Sequence, residues 1–227
     1  MQPLRHSYTN RTLGDGATVV KCYQGPDALA RLERERGMLD ALQGQVLPVP
    51  HVLGAEHGCL TMTFMNGVQG QELIGTGGAD RVLRACGAML QRIHQLDTPQ
   101  IAAALGRPAH GGHVLVHGDY GPQNVLLNQA TMEISAILDW EWAHPGAPVE
   151  DLAWCEWIIR MHHPGEAGLL GAFFDAYGGA IPSWPDRHAF MLDRCRALRD
   201  LCHRQEPGGA AETQWRHRAA VTGAWHE

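Results

Sequence analysis

The stretch Val114–Trp140, VLVHGDYGPQNVLLNQATMEISAILDW, limits the possible folds more than any other part of the chain. An apolar strand, VLV, runs into a polar turn carrying Asp119, and Gly121-Pro122 breaks the strand there. A second run, VLL, leaves Asn124, Asn128–Ala130 turns the chain back, and ISAIL returns to Asp139. Strand, turn and hairpin in that order put Asn124 at the start of one strand and Asp139 at the end of its neighbour. Their side-chain oxygens can then share a metal ion, with Asp119 on the adjoining turn.

That arrangement suits phosphoryl transfer, a reaction that asks the protein mainly for positioning and charge. A protein-kinase catalytic loop, H-R-D-x-x-x-x-N, supplies a base Asp and a metal-binding Asn, and a later D-F-G supplies a metal-binding Asp. Here H-G-D-Y-G-P-Q-N keeps the His (His117), the Asp (Asp119) and its spacing to Asn124, and L-D-W stands where D-F-G would. The stretch resembles the aminoglycoside phosphotransferase family, small-molecule kinases that typically carry H-G-D at this turn. The resemblance implies an α+β, protein-kinase-like fold of two lobes. Residues 1–66 would form a minimal N-terminal β-lobe and hinge, and residues 67–227 a mainly helical catalytic and acceptor-binding lobe. It also implies ATP or GTP as donor, Mg2+ held by Asn124 and Asp139, Asp119 taking the acceptor's hydroxyl proton, and His117 bracing the turn.

Composition sets the outer bounds. At 227 residues the chain can build one sizeable core or two small lobes around a cleft. Its 44% hydrophobic and 19% charged residues are globular values. A net charge of −6 argues against a general nucleic-acid binder and is compatible with a cationic substrate. No apolar run reaches membrane-spanning length, and MQPLRHSYTN does not read as a signal peptide. The six cysteines form no C-x-x-C, so reduced thiols in a cytoplasmic protein are expected. Nothing in the chain sets the oligomeric state.

Towards the N-terminus, Asn10–Tyr23 reads as a hairpin about a Gly14–Gly16 turn, with Val19, Lys21 and Tyr23 on one strand face. The helix expected over Pro26–Leu42 carries a stripe of Leu32, Leu39 and Leu42, and Glu35 falls on it. A carboxylate there either reaches water at the stripe's edge or needs a buried partner, for which Lys21 is the candidate. In kinases such a pair steadies the nucleotide phosphates, and R-L-E-R-E-R is similar to the family's Glu-bearing helix. LPVPHV reads as a connector and Cys59–Phe64 as a strand. The resemblance puts the interlobe hinge at the end of that strand, where the backbone of Thr63 to Met65 would bond adenine. GTGG at 75–78 lacks the spacing of a phosphate loop and reads as a flexible connector. Asp80–Leu96 is an amphipathic helix ending near His94.

His110, His113 and His117 raise the rival idea of a metal hydrolase, although their spacing is unlike that of zinc sites. Beyond Asp139, Pro148 opens a helix with Glu150 and Asp151 in its first turn. Those acids either offset the helix dipole or, for Asp151 by resemblance, accept backbone N–H bonds from the catalytic turn. The segment from Asp139 to Asp151 is too short for a peptide-docking activation loop, which favours a small-molecule acceptor over a protein. Trp142, Trp154 and Trp157, with Glu141 and Glu156 interleaved, either pack in the core or form an aromatic and acidic wall for an amine-bearing acceptor. Three further helices complete the chain, the second with a Met191, Cys195, Leu198 stripe. One departure from the family pattern is the segment His6–Asn10 ahead of the hairpin, which has no glycine where a nucleotide loop would need one. A nucleotide-binding pseudokinase with the same fold remains the alternative to an active enzyme.

Overall fold

The Gly-Asp-Gly turn closes as its residues dictate. Gly16 takes a left-handed backbone (φ 86°), and the Asp15 carboxylate accepts the N–H groups of Ala17 and Thr18 at 3.0 and 2.8 Å. The structure is a computed structural model, and it describes residues 1–4, 10–25, 27–106, 108 and 110–227. The loop segment His6–Thr9 and the expected helix start at Pro26 lie outside the described residues.

Strands β1 (Gln2–Pro3), β2 (Arg11–Gly14) and β3 (Thr18–Cys22) begin an antiparallel sheet. Helix α1 (Ala28–Leu42) comes next, with Leu32, Met38, Leu39 and Leu42 buried and Glu35 among them. The sheet is completed by β4 (Val52–Glu56) and β5 (Cys59–Thr63), in the order β1-β2-β3-β5-β4. Strand β4 was not expected from the sequence, where the prolines of LPVPHV suggested only a connector. The turn that reveals it is His57-Gly58, where both residues have positive φ (51° and 75°) as in a two-residue hairpin.

The expectation of reduced cysteines fails for one pair. Cys22 and Cys59 face each other across β3 and β5 and form a disulfide. Strand register brings them together, and spacing along the chain gave no hint of it. Cys86, Cys155, Cys195 and Cys202 are free thiols.

The second lobe opens with β6 (Val68–Gln69) and α2 (Gly70–Leu73). GTGG is not a loose connector: it forms a helical break, kinked at Gly77 (φ 86°), that leads into α3 (Ala79–His94). Then come α4 (Thr98–Ala104), β7 (Val114–Val116), β8 (Val125–Leu127), β9 (Ile134–Ile137) and β10 (His144–Gly146). The chain ends in α5 (Val149–His162), α6 (Leu170–Tyr177), α7 (Trp184–Gln205) and α8 (Ala210–Gly223). Strands β8 and β9 make the expected hairpin, with β6 beside β8, while β7 pairs with β10. The two-lobed α+β arrangement therefore forms. Among the described residues no helix is long and apolar enough to cross a membrane.

The core of the second lobe is the α3 stripe of Val82, Leu83, Cys86, Leu90 and Ile93, all fully buried. Helix α5 is buried on every side from Asp151 to Ile159, so its polar residues have no route to water and must be paired inside. Helices α3 and α6 approach so closely at Gly87 that an added Cβ would lie 2.1 Å from the Phe173 carbonyl oxygen. Gly87→Ala must push the helices apart. The expected destabilisation is about 1–3 kcal/mol, seen as a melting temperature lowered by several degrees in a thermal melt.

Candidate active site

The buried acid on the α1 stripe finds its partner. Lys21 Nζ lies 2.6 Å from Glu35 Oε2 and 2.6 Å from Asp139 Oδ1, with Glu141 Oε2 at 3.6 Å. Glu35 also accepts the Tyr23 hydroxyl on the same oxygen and the Trp140 N–H on the other at 3.2 Å. Strand, helix and the end of the hairpin are thus joined through one carboxylate. Burial alone would lower the Lys21 pKa, but the negative charges of Asp139 and Glu35 outweigh it and hold the ammonium well above its usual value. Burial would raise Asp139, and Lys21 reverses this and keeps it ionised below the usual range. Glu35 is raised, by burial first and against the pull of Lys21. Among the described residues, Glu35, Asp139 and Glu141 are the only His, Cys, Asp or Glu group close enough to share a metal. The Lys21 ammonium already bonds two of them.

The turn that carries Asp119 is held from behind. Asp151, fully buried on α5, accepts the N–H of His117 at 2.7 Å on one oxygen and that of Gly118 at 2.9 Å on the other. His94 reaches the first oxygen through Nε2 at 3.2 Å and meets the Tyr177 hydroxyl through Nδ1 at 2.9 Å. Burial would raise Asp151, but these donors keep it below the usual carboxylate range. His117 donates from Nε2 to the Leu138 carbonyl at 2.9 Å and accepts the Asp119 N–H on Nδ1 at 3.3 Å. With both ring nitrogens occupied inside the turn, His117 cannot join His110 and His113 as a metal ligand. Gly118 is left-handed (φ 83°), and a Cβ there would lie 2.6 Å from the Trp142 carbonyl oxygen, so no side chain fits between His117 and Asp119.

Asp119 faces two ways. Its Oδ2 accepts Asn124 Nδ2–H at 2.8 Å and its Oδ1 accepts Trp154 Nε1–H at 2.7 Å. Burial and then the charge of Asp139 raise its pKa. Asn124 donates through Nδ2, which leaves Oδ1, a hard oxygen donor, for a cation. Asp139 supplies the other, on a left-handed residue (φ 67°) that holds its carboxylate beside Lys21. Lys21, Glu35, Asp119, Asn124 and Asp139 all line one cavity of about 470 Å³, whose far wall includes Thr63 and Met65. Thr63 and Phe64 direct their N–H groups to the carbonyls of His51 and Ala17 at 2.9 Å. Of the expected hinge contacts, the Thr63 N–H is therefore taken.

Residues 1–112 and 97–198 match the model of the phosphotransferase enzyme family. The chain belongs to that family. Its fold is similar to that of aminoglycoside 2'-phosphotransferase-IIIa in its GDP complex, with a TM-score of 0.78, 14% identity, and 98% of this chain and 92% of that one covered. Macrolide 2'-phosphotransferase MphH from Brachybacterium faecium gives 0.66 at 20% identity, covering 100% and 93%. Aminoglycoside phosphotransferase APH(3'')-Id from Streptomyces rimosus, solved with ADP and streptomycin, gives 0.63 at 18% identity, covering 83% and 89%. At such identities the likeness is one of fold. No curated protein matches the chain by sequence.

In this phosphotransferase core packing, and not an acceptor wall, is the reading that holds for Glu141, Glu156 and Trp157. Glu141 is 1% exposed and faces the first lobe, bonded to Asn10 Nδ2 at 3.1 Å and Arg31 Nη1 at 3.2 Å. Glu156 is fully buried between Arg160 and Arg187, at 2.8 and 2.7 Å. Trp157 is packed in the core, stacked on Trp154 at 4.4 Å between ring centres and bonded to Thr222 Oγ1. Neighbours in sequence had left core packing and wall open, and on an all-round buried helix such as α5 side-chain direction cannot be read from them. Trp154 and Trp142 do lie beside the turn. Two contacts were not foreseen from the sequence. Trp154 stands three residues after Asp151 on the same helix face, a signal that was available. Arg194 donates to the Gly118 carbonyl at 3.0 Å from a helix far along the chain, and nothing local pointed to it.

Asp151→Asn turns one acceptor oxygen into an N–H donor facing a backbone N–H. The expected effect is about 2 kcal/mol or more of lost stability by thermal melt, together with reduced turnover, because the turn loses its support.

Proposed function

We propose that this phosphotransferase carries the γ-phosphoryl group of ATP or GTP to a hydroxyl of a small molecule in a Mg2+-dependent reaction. Residues 1–66 would form the nucleotide lobe and residues 67–227 the catalytic lobe. The observation that carries the reading is the convergence of Lys21, Asp119, Asn124 and Asp139 on one cavity between an anchored lysine and a braced turn. The presence of nucleoside triphosphates in the cytoplasm favours that setting.

Lys21, kept charged and held by Glu35, binds the α- and β-phosphates. The Met65 N–H takes the adenine or guanine edge, since Thr63 and Phe64 have theirs in the sheet. Asn124 Oδ1 and Asp139 are the oxygens that would hold Mg2+, and both suit a hard cation. When bound there, the metal offsets charge on the transferred phosphoryl group. Asp119 accepts the acceptor's hydroxyl hydrogen, orients that oxygen and takes its proton as the new P–O bond forms and the nucleoside diphosphate leaves. Trp154 and Asn124 fix the Asp119 carboxylate, and His117 and Asp151 fix the backbone that carries it. Most of the rate then comes from position and charge. The names of the solved relatives make aminoglycosides and other amine-bearing compounds the reference acceptors for an assay.

A nucleotide-consumption screen over aminoglycosides, choline-like amines, sugars and nucleosides, with and without Mg2+, tests this reading. Asp119→Asn keeps the shape but cannot take the proton. Turnover should fall by about a hundredfold or more, while nucleotide affinity, measured by titration, stays nearly intact. Wild-type turnover in that variant would remove Asp119 from the mechanism, and nucleotide binding without turnover by the native chain would make it a pseudokinase.

The pH dependence comes from Asp119. Its carboxyl is raised by burial and by Asp139 and must be ionised to act. Activity should therefore rise with pH through an apparent pKa above the ordinary carboxylate range. Because the folded value is the higher one, this group's contribution to stability is present below the unfolded pKa and lost as pH rises through the folded one. A kcat/KM profile from pH 4 to 8 should show the acid limb, and Asp119→Asn should abolish it.

A further inference from the structure

The two oxygens of Asp119 divide its surroundings. Oδ2 accepts from Asn124, which lines the donor cavity with Asp119, whereas Oδ1 accepts from Trp154, which does not line that cavity. On the Trp154 side stand Trp142, Arg194 and Arg34. The Arg194 guanidinium lies 5.6 Å from the ring centres of both Trp142 and Trp154 and donates to Gly118 O. The Arg34 guanidinium lies 5.9 Å from the Trp142 ring and donates to Glu141 O at 2.9 Å. Both arginines are half-buried. Among the described residues neither has a carboxylate within ion-pair distance, although Arg31, Arg160 and Arg187 each do. The acids of adjacent elements are engaged elsewhere: Asp193 with Arg196, Glu150 with His144, and Glu141 and Glu156 as described above.

Two guanidiniums that share the Trp142 ring and are bonded only to carbonyls place positive charge, not drawn into any ion pair, on the Trp154 side of the group that receives the hydroxyl. Such a pair repels a polycation and offers forked donors to a carboxylate or a phosphate ester. Resting on the phosphoryl-transfer reading above, we infer that the acceptor is an anionic hydroxyl compound whose acidic group seats on Arg34 and Arg194, with its body against Trp142. The bond made is from the γ-phosphorus to the acceptor oxygen, the bond broken is the one to the β-phosphate oxygen, and the hydroxyl proton goes to Asp119. The acid itself takes no part in the chemistry and sets the position of the hydroxyl.

The test is nucleotide turnover with acceptors matched in scaffold and differing in charge: glucose, glucuronate, a glucose phosphate monoester and glucosamine, with kanamycin as a polycation. The acidic members should exceed glucose in kcat/KM by about tenfold or more, and the amines should fall below it. The difference should shrink as salt is raised. Arg34→Gln and Arg194→Gln should each cut the acid-to-neutral ratio about tenfold, mainly through KM, and Arg194→Lys should restore part of it. Nucleotide titration of each variant reports that it is folded. Preference for the amines, or a ratio unmoved in both variants, overturns the charge assignment and leaves phosphoryl transfer standing. Absence of turnover with every member, while nucleotide binds, overturns both. The carboxylate and phosphate arms separate the two kinds of acid.

Discussion

An ammonium held among carboxylates with almost no water is the constraint on which the site depends. Lys21 is 7% exposed and Glu35 2%. Neither could be buried alone, since an unpaired interior charge is destabilising by several kcal/mol. The pair therefore fixes where β3 and α1 lie relative to each other. Because Lys21 also binds Asp139, it fixes both of them against the hairpin of the second lobe. Arg31 joins from α1 by bonding Glu141 just beyond Asp139. Three acids, Glu35, Asp139 and Glu141, face two bases, Lys21 and Arg31, here. Of these acids Glu35 and Asp139 line the cavity, whereas Glu141 is bonded to Asn10 and Arg31.

The turn that carries Asp119 is held in place for a different reason. A turn with buried N–H groups must have acceptors, and no backbone carbonyl supplies them to His117 and Gly118. A single carboxylate, Asp151, serves both, and its own ionisation is maintained by His94 and those two N–H groups. The turn is thus attached to α5 and α3, the two most thoroughly buried helices of the lobe. Gly118 completes the arrangement by letting the Trp142 backbone pass close, so the segment just after Asp139 and the residue before Asp119 are positioned by contact.

How far the sequence foretold this depends on distance along the chain. Asp119, Asn124 and Asp139 were legible because one turn and the hairpin that follows it carry them, and such geometry is local. Lys21 and Glu35 were legible because a buried acid requires a partner and the preceding strand offered one. The same kind of argument failed for Glu141 and Glu156. Each does have a partner, but the partner sits on an element whose placement only the whole fold decides. The Cys22–Cys59 disulfide failed likewise: the pairing needs β5 beside β3, and the unrecognised β4 left the order of the sheet open. Asp151 was legible as an organiser through family likeness, and the physics alone had allowed helix-dipole compensation as well.

A negative chain overall, at −6, invites the view that its substrate is positive, and the placement of charge argues otherwise. Net charge acts over the whole surface and is screened within about 10 Å at ordinary salt, whereas under the proposed mechanism an acceptor meets only the groups around Asp119. On the donor side those groups are carboxylates already bonded to Lys21 and Arg31. On the other side they are two arginines and two indoles. Under that mechanism Asp119 stands between these fields, bonded to Asn124 through Oδ2 and to Trp154 through Oδ1, so its negative charge is the feature common to both halves of the reaction. A group placed there can hold a hydroxyl close to the donor phosphate without belonging to either binding site, which is what in-line transfer between two separately bound partners requires.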